Sequence, residues 1–530
     1  MNFNIQPINF NIANVRFKSN SNISQPKGSD LERNPKMDSF EMSIGYVNDA
    51  HGQTNNMMRI LSGIKGDLKL SAGDNDIGDE KNDAIHQATT KFLNIADIKA
   101  SALGNHEIDM SQKDCIDAIN RFNGLMLSIN FEQIPLEEQD PEDIQKYGRA
   151  DLKNHLTKSA IVEVKGQKIG LIGASPIDMM SRLTHPNYYT DCSVDDLDDT
   201  IELIQNEIDK FKEQNINKVI LVSHLGHKAD KFVAENIDGI DVIVGGHTHE
   251  LIKDIKEGEN LLYSKTGEPI IMTEAGRDGN YFGKLNLTFD KNGVITKAQN
   301  NLGETRLFHK NMINQYVFDN ILGVPEKVGY IKQAPPPKNL AEENPHANFV
   351  CDVMREKTNS DIALWHHSGV RSFFHEGEID SRDVKEMAPF LDYVVTAQVS
   401  EKTLVDAFKK AVDMTFETSA HKPGLIAVSG LNYTVDPEEG ELLAMNFIDK
   451  EGKEHKIDVE NPSEDKMYKV VTDEFLMSAG ADYDILAPEE VYVEKFPYDK
   501  DVLTCEYIKE MNEPVVINQV GRIKFVHEED

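Results

Sequence analysis

Short apolar segments alternate with longer amphipathic ones from about residue 43 to residue 331. The apolar segments end abruptly in polar or glycine-containing turns, which is typical of buried strands. We predict strands at residues 44–47, 68–70, 100–103, 161–164, 169–172, 219–222 and 242–244. A helix is predicted over residues 194–212, where Asp195 and Asp196 supply an acidic start. Strand, loop and helix in turn predict an α/β layered domain.

A proline run divides the chain into two blocks. Residues 334–339 read Ala-Pro-Pro-Pro-Lys-Asn, and consecutive prolines exclude a helix interior or a central strand. We therefore place a linker at residues 332–345, between a first block at residues 41–331 and a second block at residues 346–530. The second block has predicted helices at residues 348–357 and 401–414 and predicted strands at residues 362–365, 394–399 and 468–471. Residues 1–40, rich in Asn, Ser and Lys, are predicted to form a disordered tail.

The composition is that of a globular and strongly acidic protein. Of 530 residues, 39% are hydrophobic, and 56 Lys and Arg against 90 Asp and Glu give a net charge of −34. Such a surface repels phosphate backbones, which argues against a nucleic acid polymer as a partner. The chain has no apolar run of roughly 18 residues that could cross a membrane and no apolar secretory core of about 7–15 residues near its start. We therefore expect a cytoplasmic protein without a membrane partner, and the oligomeric state is left open.

Residues able to bind metals follow five of the predicted strands in the first block. The candidates are Asp49, His51, Asp74, Asn105, His224, His247 and His249, together with His106 and Asp109 in the third loop. In an α/β domain the loops beyond the carboxyl ends of strands usually carry the site. Along an extended Asp-x-His or His-x-His segment the flanking side chains point to the same side. Asp49 with His51, and His247 with His249, are therefore each expected to aim at one point.

The ligand types in these loops predict a dinuclear metal site. Carboxylate, imidazole and amide groups together suit Zn, Mn, Fe or a similar divalent ion, whereas Mg or Ca would favour oxygen ligands alone. Seven candidates are too many for one tetrahedral ion and fit two ions that share a bridge, for which Asp74 is the natural choice. Two such ions bind a phosphoryl oxygen and lower the pKa of a bridging water.

The remaining polar side chains of these loops have other predicted roles. His106 is not needed as a ligand and is able to donate a proton to a leaving alkoxide, with Asp109 orienting its ring. Supporting or structural roles are predicted for His227 and Glu250. His86, on a predicted helix, is expected to be solvated. The four cysteines are far apart in the sequence, which excludes a thiolate zinc cluster.

These loop motifs resemble, in order, those of calcineurin-like metallophosphoesterases, and Asn-His-Glu-Ile-Asp at residues 105–109 is similar to the version in the 5′-nucleotidase branch. The resemblance implies a four-layer α/β/β/α sandwich followed by a smaller α/β substrate-binding domain. It also implies two ligand sets that share Asp74. One metal would take Asp49, His51, Asp74 and His249, and the other Asp74, Asn105, His224 and His247. By the same similarity, His106 and Asp109 match the pair that stabilises the transition state.

The second block resembles the C-terminal domain of 5′-nucleotidases. Residues 368–371, 388–390 and 480–483 are similar to that domain's substrate-binding motifs. The similarity implies that Arg371 binds the phosphate and that Phe390 and Tyr483 sandwich a planar base, roles that suit a guanidinium fork and two aromatic rings. The sequence departs from the family pattern at several positions. His366 replaces the usual Asn, Ser368 replaces a Gly, the Gly-Gly-Asp-Gly run reads Ala-Gly-Ala-Asp at residues 479–482, and the region of Glu342 and Glu343 lacks an arginine that many relatives have.

The sequence thus predicts a metal-dependent phosphoester hydrolase of 5′-nucleotidase type. Its expected partner is a small phosphate ester, such as a nucleotide, a cyclic nucleotide or a nucleotide sugar, cleaved by a water that two metals activate. Two alternatives stay open. The same dinuclear site could hydrolyse a non-nucleotide ester, such as a sugar phosphate or a sulfur oxyanion, or the chain could be a non-catalytic scaffold that retains the fold. The acidic surface excludes only polyanions, because two cations and Arg371 would supply a local positive field.

Overall fold

The computed structural model describes residues 31–32, 39–78, 82–183, 185–335, 340–416, 424–477, 492–511, 513–518 and 521–526. The predicted tail at residues 1–40 therefore lies almost entirely outside the described residues, as do part of the predicted linker and Tyr483. Two parts of the tail region are described. Leu31–Glu32 pair with a strand of the first block, and Phe40 begins another strand.

The first block contains two sheets and the helices that cover them. Its described strands are β1 (Leu31–Glu32), β2 (Phe40–Val47), β3 (Leu68–Ser71), β4 (Ala100–Ala102), β5 (Leu125–Leu127), β6 (Phe131–Gln133), β7 (Ser159–Val164), β8 (Gln167–Ala174), β9 (Cys192–Val194), β10 (Val219–Ser223), β11 (Val242–Val244), β12 (Leu261–Tyr263), β13 (Pro269–Thr273), β14 (Tyr281–Phe289) and β15 (Ile295–Glu304). Its described helices are α1 (Thr54–Gly63), α2 (Asp83–Ala96), α3 (Gln112–Arg121), α4 (Pro141–Tyr147), α5 (Met179–Arg182), α6 (Leu197–Glu213), α7 (His227–Asn236) and α8 (Met312–Leu322).

The two sheets pack face to face. The first has the strand order β1-β15-β14-β2-β3-β4-β5 and the second the order β12-β13-β11-β10-β8-β7. Alternate residues of one strand serve different layers. Ile220 and Val222 of β10 pack between the sheets with Leu70 of β3, whereas Leu221 faces the outer helices with Ile208 of α6. Helices α1, α2 and α8 cover the other face of the first sheet. The predicted α/β/β/α sandwich is confirmed.

Parallel pairing brings the carboxyl ends of the central strands to one side of the sandwich. Strands β2, β3, β4 and β5 run parallel in the first sheet, and β8, β10, β11 and β13 run parallel in the second. Apolar side chains fill both faces of these strands, which explains why they read as short continuous apolar runs. The loops that leave their carboxyl ends come together from both sheets and carry the predicted ligands.

The second block is a smaller α/β unit. Its described strands are β16 (Lys327–Gln333), β17 (Ile362–His366), β18 (Gly377–Asp380), β19 (Tyr393–Ser400), β20 (Ile426–Ser429), β21 (Leu431–Asp436), β22 (Glu441–Ile448), β23 (Glu454–Ile457), β24 (Met467–Asp473), β25 (Tyr492–Asp499), β26 (Val515–Val516) and β27 (Ile523–Phe525). Its described helices are α9 (Pro345–Lys357), α10 (Ser381–Met387), α11 (Glu401–Phe416), α12 (Glu474–Met477) and α13 (Lys500–Glu510). The central sheet has the order β20-β17-β24-β19-β25. No helix in the described part of the chain is both long enough and apolar enough to cross a bilayer.

The boundary between the blocks lies earlier than the sequence predicts. Strand β16 pairs antiparallel with β18 and parallel with β26, so it belongs to the second block. The sequence analysis placed residues 327–331 at the end of the first block, because an alternating segment does not reveal which sheet it joins. Helix α8 still packs against α1 and α2. The change of block therefore falls between Leu322 and Lys327.

Candidate metal centre

The strand-end loops bring all seven predicted ligands into one region. Three groups of side chains have ligand atoms within 4.8 Å of one another. The groups are Asp49, His51 and His249; His51, Asp74 and His106; and Asp74, His224 and His247. Asn105 lies in the same loop as His106, whose backbone N–H donates to Asp74 Oδ1 at 2.9 Å. The side chains that the sequence grouped as ligands are therefore neighbours, while the role of each as a ligand stays a prediction.

The backbone brings these side chains together by a route that the sequence analysis did not expect. Asp49, His51, Asp74, His247 and His249 have positive φ values between 44° and 79°. The left-handed region is sparsely populated by residues other than Gly, although Asn, Asp and His enter it more often than the rest. The expectation that these segments are extended is therefore wrong. The expected convergence holds for Asp49 and His51, which belong to one group, whereas His247 and His249 belong to different groups. Left-handed backbone of this kind is strained in residues other than Gly and concentrates at functional sites.

Asp74 lies between the two halves of the site. Its Oδ2 is 3.0 Å from Nε2 of His224 and 3.8 Å from Nε2 of His51. In the group formed by Asp49, His51 and His249, Nε2 of His249 is 3.4 Å from Oδ1 of Asp49. Oδ1 of Asp49 also lies 3.9 Å from Nε2 of both His51 and His224. Asp74 is the carboxylate shared by two of the three groups, and its role as the bridge stays a prediction.

Gly104 permits the close approach of two loops. A Cβ at this position would lie 2.2 Å from Oδ1 of Asp74 and 2.6 Å from its backbone nitrogen. Glu107 fastens the same loops, because its carboxylate accepts the backbone N–H groups of Asp74, Asn75 and Gly104 at 2.8–2.9 Å. The sequence analysis gave Glu107 no role of its own. Its side chain fixes the position of the predicted bridge.

Three acceptors orient the histidines, and the sequence analysis missed all three. The Nδ1–H of His51 donates to Asp278 Oδ1 at 3.0 Å, and that of His224 donates to the carbonyl oxygen of Ala72 at 2.6 Å. Oδ1 of Asp178 lies 3.2 Å from Nε2 of His247. Each contact engages one ring nitrogen and leaves the other for a metal, the usual arrangement around a histidine ligand. A signal was present in the sequence, because Asp178 and Asp278 lie in polar loops that follow apolar strands.

Buried polar atoms without a hydrogen-bond donor or partner show whether these residues suit a metal ion. Asn105 Oδ1 is buried and has no hydrogen-bond partner among the described residues. His224 Nε2 is also buried, and because Nδ1–H of the same ring donates to Ala72, Nε2 faces Oδ2 of Asp74 at 3.0 Å as one acceptor against another. Buried polar atoms are normally hydrogen-bonded, and these two atoms of metal-ligating type fit atoms that coordinate an ion. The donor set of carboxylate, imidazole and amide oxygen agrees with that interpretation. The residues present therefore fit the predicted pair of divalent ions.

His106 faces both blocks of the protein. Its Nδ1–H donates to Asp109 Oδ2 at 2.9 Å, and its Nε2 lies 3.4 Å from Nη2 of Arg371 in the second block. Burial disfavours the charged ring, but the carboxylates of Asp74 and Asp109 outweigh burial and raise the pKa of His106 above its ordinary value. The predicted pairing of His106 with Asp109 is thus seen in the geometry.

Arg371 and Phe390 lie together beside this histidine. The guanidinium carbon of Arg371 is 5.4 Å from the centre of the Phe390 ring, a distance that fits a cation–π contact. Arg371 is only 9% exposed, and its Nε has no hydrogen-bond partner within the described residues. The structure thus brings two of the three predicted substrate-binding side chains to the candidate metal centre. The third, Tyr483, lies outside the described residues.

The structure also bears on the predicted roles of two further histidines, His86 and His227. His86 is buried, and its Nδ1 is 2.6 Å from Oδ1 of Asp76, so the expectation of a solvated residue is wrong. The helical pattern did not reveal that this face of α2 turns towards the β3 loop. His227 begins α7, and its backbone N–H donates to the hydroxyl of Thr248, which agrees with a structural role.

Two family profiles match the chain in succession. Residues 42–251 match the calcineurin-like phosphoesterases, and residues 327–488 match the C-terminal domain of 5′-nucleotidases. The chain belongs to the 5′-nucleotidase family of calcineurin-like phosphoesterases. The predicted family, the hydrolase class and the dinuclear divalent metal centre are confirmed by this match together with the Asp and His clusters.

Relatives of the family differ in how much of their length this chain covers. The trifunctional nucleotide phosphoesterase protein YfkN of Bacillus subtilis (strain 168) is 23% identical over 98% of this chain, which spans only 36% of that relative. The 5′-nucleotidase of Diplobatis ommata is 27% identical over 82% of this chain and 77% of its own. The structure of a 5′-nucleotidase precursor from Thermus thermophilus matches with a TM-score of 0.70 at 21% identity, over 92% of this chain and all of that one. That likeness shows the fold.

Replacing Asp278 tests its role in orienting His51. In Asp278→Asn the anionic acceptor for the His51 Nδ1–H is lost, and we expect metal affinity to fall about 10–100-fold, as is usual for residues that support a metal ligand. Titration of the metal-free protein with Zn²⁺ or Mn²⁺ against a competing chelator measures the change. Asp465→Asn, at an exposed position of the second block, is the control. Equal affinity in Asp278→Asn and the control would show that Asp278 does not support the site.

Proposed function

We propose that the protein is a 5′-nucleotidase-type hydrolase whose second block recognises a nucleotide while the metal centre cleaves its phosphate ester. The observation that carries this proposal is the contact between blocks, in which Arg371 and Phe390 lie against His106. A phosphoesterase that needed only the metals would have no use for a guanidinium and an aromatic ring delivered there. The names of the relatives, which are nucleotide-processing enzymes, support the same substrate class.

Arg371 supplies a charge suited to a phosphate. Burial opposes the charged form and lowers the pKa of Arg371 from its usual value, while the nearby carboxylate of Asp278 acts in the other direction. A guanidinium stays protonated in proteins under all ordinary conditions. A buried cation with an unsatisfied Nε is costly on its own and gains when an anion arrives. Arg371 therefore favours a substrate that carries negative charge next to His106.

Phe390 supplies a flat apolar surface beside that charge. Its ring is half-buried, so one part remains able to contact a planar base, and such stacking adds to binding by burying apolar area. The distance between Arg371 and the ring places an anion site and a stacking site side by side, which is the layout of a nucleoside monophosphate. Tyr483 stays a predicted second stacking partner.

His106 supplies the proton that leaving-group departure requires. With Nδ1 held by Asp109, its Nε2 is the atom able to give a proton to the alkoxide oxygen as the P–O bond breaks, while the oxygen of a water joins the phosphorus. Two sets of predicted ligands would hold the metals, with Asp74 shared. One set comprises Asp49, His51 and His249, and the other Asn105, His224 and His247. When bound, two divalent ions polarise the phosphoryl oxygens and acidify the attacking water.

A substrate panel tests the proposal. The protein loaded with Mn²⁺ or Zn²⁺ is given nucleoside 5′-monophosphates, cyclic nucleotides, a nucleotide sugar, a sugar phosphate, a sulfur oxyanion ester and 4-nitrophenyl phosphate. We expect kcat/KM to be highest for a nucleotide. A higher value for the sugar phosphate or the sulfur ester would overturn the proposal in favour of that ester, and a metal-loaded protein inert towards the whole panel would identify a scaffold.

A cytoplasmic location stays a prediction, which fractionation of the producing cells tests.

A further inference from the structure

The N-terminus of α1 is capped by a residue from the other block. Oε1 of Glu386, in α10, accepts the hydroxyl of Thr54 at 2.6 Å and the backbone N–H of Asn55 at 2.7 Å. Glu386 is only 6% exposed. Its backbone oxygen accepts Nε2 of Gln53 at 3.1 Å, and Asp383 Oδ1 accepts Nδ2 of Asn55 at 2.9 Å. The first turn of α1 therefore meets α10 through four hydrogen bonds.

Helix α1 has no cap of its own. Its N-cap residue, Gln53, makes no side-chain capping bond, and its first turn contains no acidic residue. The first N–H groups of a helix have no partner within the helix, and an acceptor or a negative charge at that end stabilises it. The carboxylate that α1 lacks in its own sequence is supplied by Glu386. The end of the helix is thus completed only when the two blocks are docked.

The contact between α1 and α10 lies between the metal-binding loop at His51 and the segment that carries Arg371 and Phe390. Helix α1 begins at Thr54, three residues after His51. Helix α10 ends at Met387, whose carbonyl oxygen accepts the backbone N–H of Arg371 at 3.0 Å. Phe390 follows three residues later, and the carbonyl oxygen of the preceding Pro389 accepts Nδ2 of Asn82 in the first block. Helix α10 therefore links the position of Arg371 and Phe390 to the helix that follows the metal-binding loop.

We propose that Glu386 is a positioning residue, which caps α1 across the interface and so holds Arg371 and Phe390 at the metal centre for nucleotide binding. The inference rests on the proposed function for its effect on substrate, whereas the docking contact itself does not depend on what the substrate is. Glu386 touches neither the predicted metal ligands nor His106. Its removal should therefore weaken binding of the nucleotide more than it slows the chemical step.

We expect Glu386→Ala to raise KM and Glu386→Gln to keep KM near its wild-type value. Glu386→Ala removes both bonds to α1 and leaves two donors at the end of this helix without their acceptor, so we expect KM for the preferred nucleotide to rise about tenfold with kcat within about threefold of wild type. Glu386→Gln keeps an oxygen that accepts the same two donors, so KM is expected to stay within about twofold of wild type. Glu439→Ala, in an exposed turn of the second block, is the matched control.

Two further measurements keep the test decisive. Thr54→Val removes one donor from the first block without touching Glu386, and it should raise KM in the same direction by a smaller factor. Hydrogen exchange at Asn55 reports docking without substrate, and its amide should exchange faster in Glu386→Ala than in Glu386→Gln. Unchanged KM and unchanged exchange in Glu386→Ala would overturn the inference. A wild-type protein that cleaves 4-nitrophenyl phosphate but no nucleotide would overturn the proposed function instead, with the exchange arm still testing the contact.

Discussion

Replacing His106 with alanine is expected to lower kcat for a nucleoside monophosphate about 10³-fold while the metal content stays at the wild-type value. His106 has Nδ1 fixed by Asp109 and Nε2 directed towards Arg371, so the variant loses a positioned proton donor, a group that contributes typically 10²–10⁴-fold. Steady-state kinetics measure the first quantity and elemental analysis the second. His309→Ala, at an exposed position of the same block, is the control.

The leaving group separates proton donation from a structural role of His106. A nitrophenolate leaves without needing a proton, whereas a ribose alkoxide needs one. The defect of His106→Ala should therefore shrink at least about tenfold when 4-nitrophenyl phosphate replaces the nucleotide, because the lost step matters less for a weakly basic leaving group. An equal loss for both substrates, or a fall in bound metal, would show that His106 maintains the site and does not donate the proton.

Asp74→Asn is expected to have the largest effect of any single change in the protein. Asp74 Oδ2 lies 3.8 Å from Nε2 of His51 and 3.0 Å from Nε2 of His224, and an amide in its place cannot share a negative charge between two cations. We expect the bound metal to fall from two ions to one or fewer. Activity should fall by about 10⁴-fold, since the metals supply several kcal/mol of transition-state stabilisation. Metal analysis after dialysis and kinetics on the nucleotide measure the two effects.

Asp97→Asn is the matched control for this variant. Asp97 is also an aspartate with a left-handed backbone, with φ 60° against 48° for Asp74, but it lies at the exposed end of α2. The same chemical change in the same backbone conformation should leave metal content and kcat at wild-type values. If Asp74→Asn kept two ions and more than about a tenth of the activity, Asp74 would not be the bridge.

The sequence was sufficient to predict that the candidate ligands lie together, because their signal is local. Asp49, Asp74 and His224 each follow a short apolar strand, and parallel strands of one sheet must present their carboxyl ends together. The α/β layering of the first block followed from the same pattern, whereas its four layers with two sheets were implied by the resemblance to calcineurin-like phosphoesterases. Which of two sheets a strand joins is a long-range property, and β16 was assigned to the wrong block for that reason.

Other features of the site depend on contacts that no local pattern encodes. Asp278 reaches His51 across 227 positions of the chain, and Glu386 reaches Thr54 across 332. The left-handed backbone at His51 and His249 also could not be predicted, because histidine enters that conformation more often than most residues but still only at a small share of its positions. The sequence therefore indicated which side chains lie together at the candidate metal centre, while the groups that orient them became visible only in the folded chain.

The loops of the metal centre come from both sheets of the sandwich, and this has a consequence for how the protein persists in a cell. Asp49 and Asp74 leave the first sheet, whereas His224, His247 and His249 leave the second. Each bound ion would join the two sheets as a cross-link that exists only in the folded chain, and a ligand that binds only the folded state stabilises it by mass action. Metal supply would then set the lifetime of the protein as well as its activity, so that copies lacking ions are the first to be lost to proteolysis.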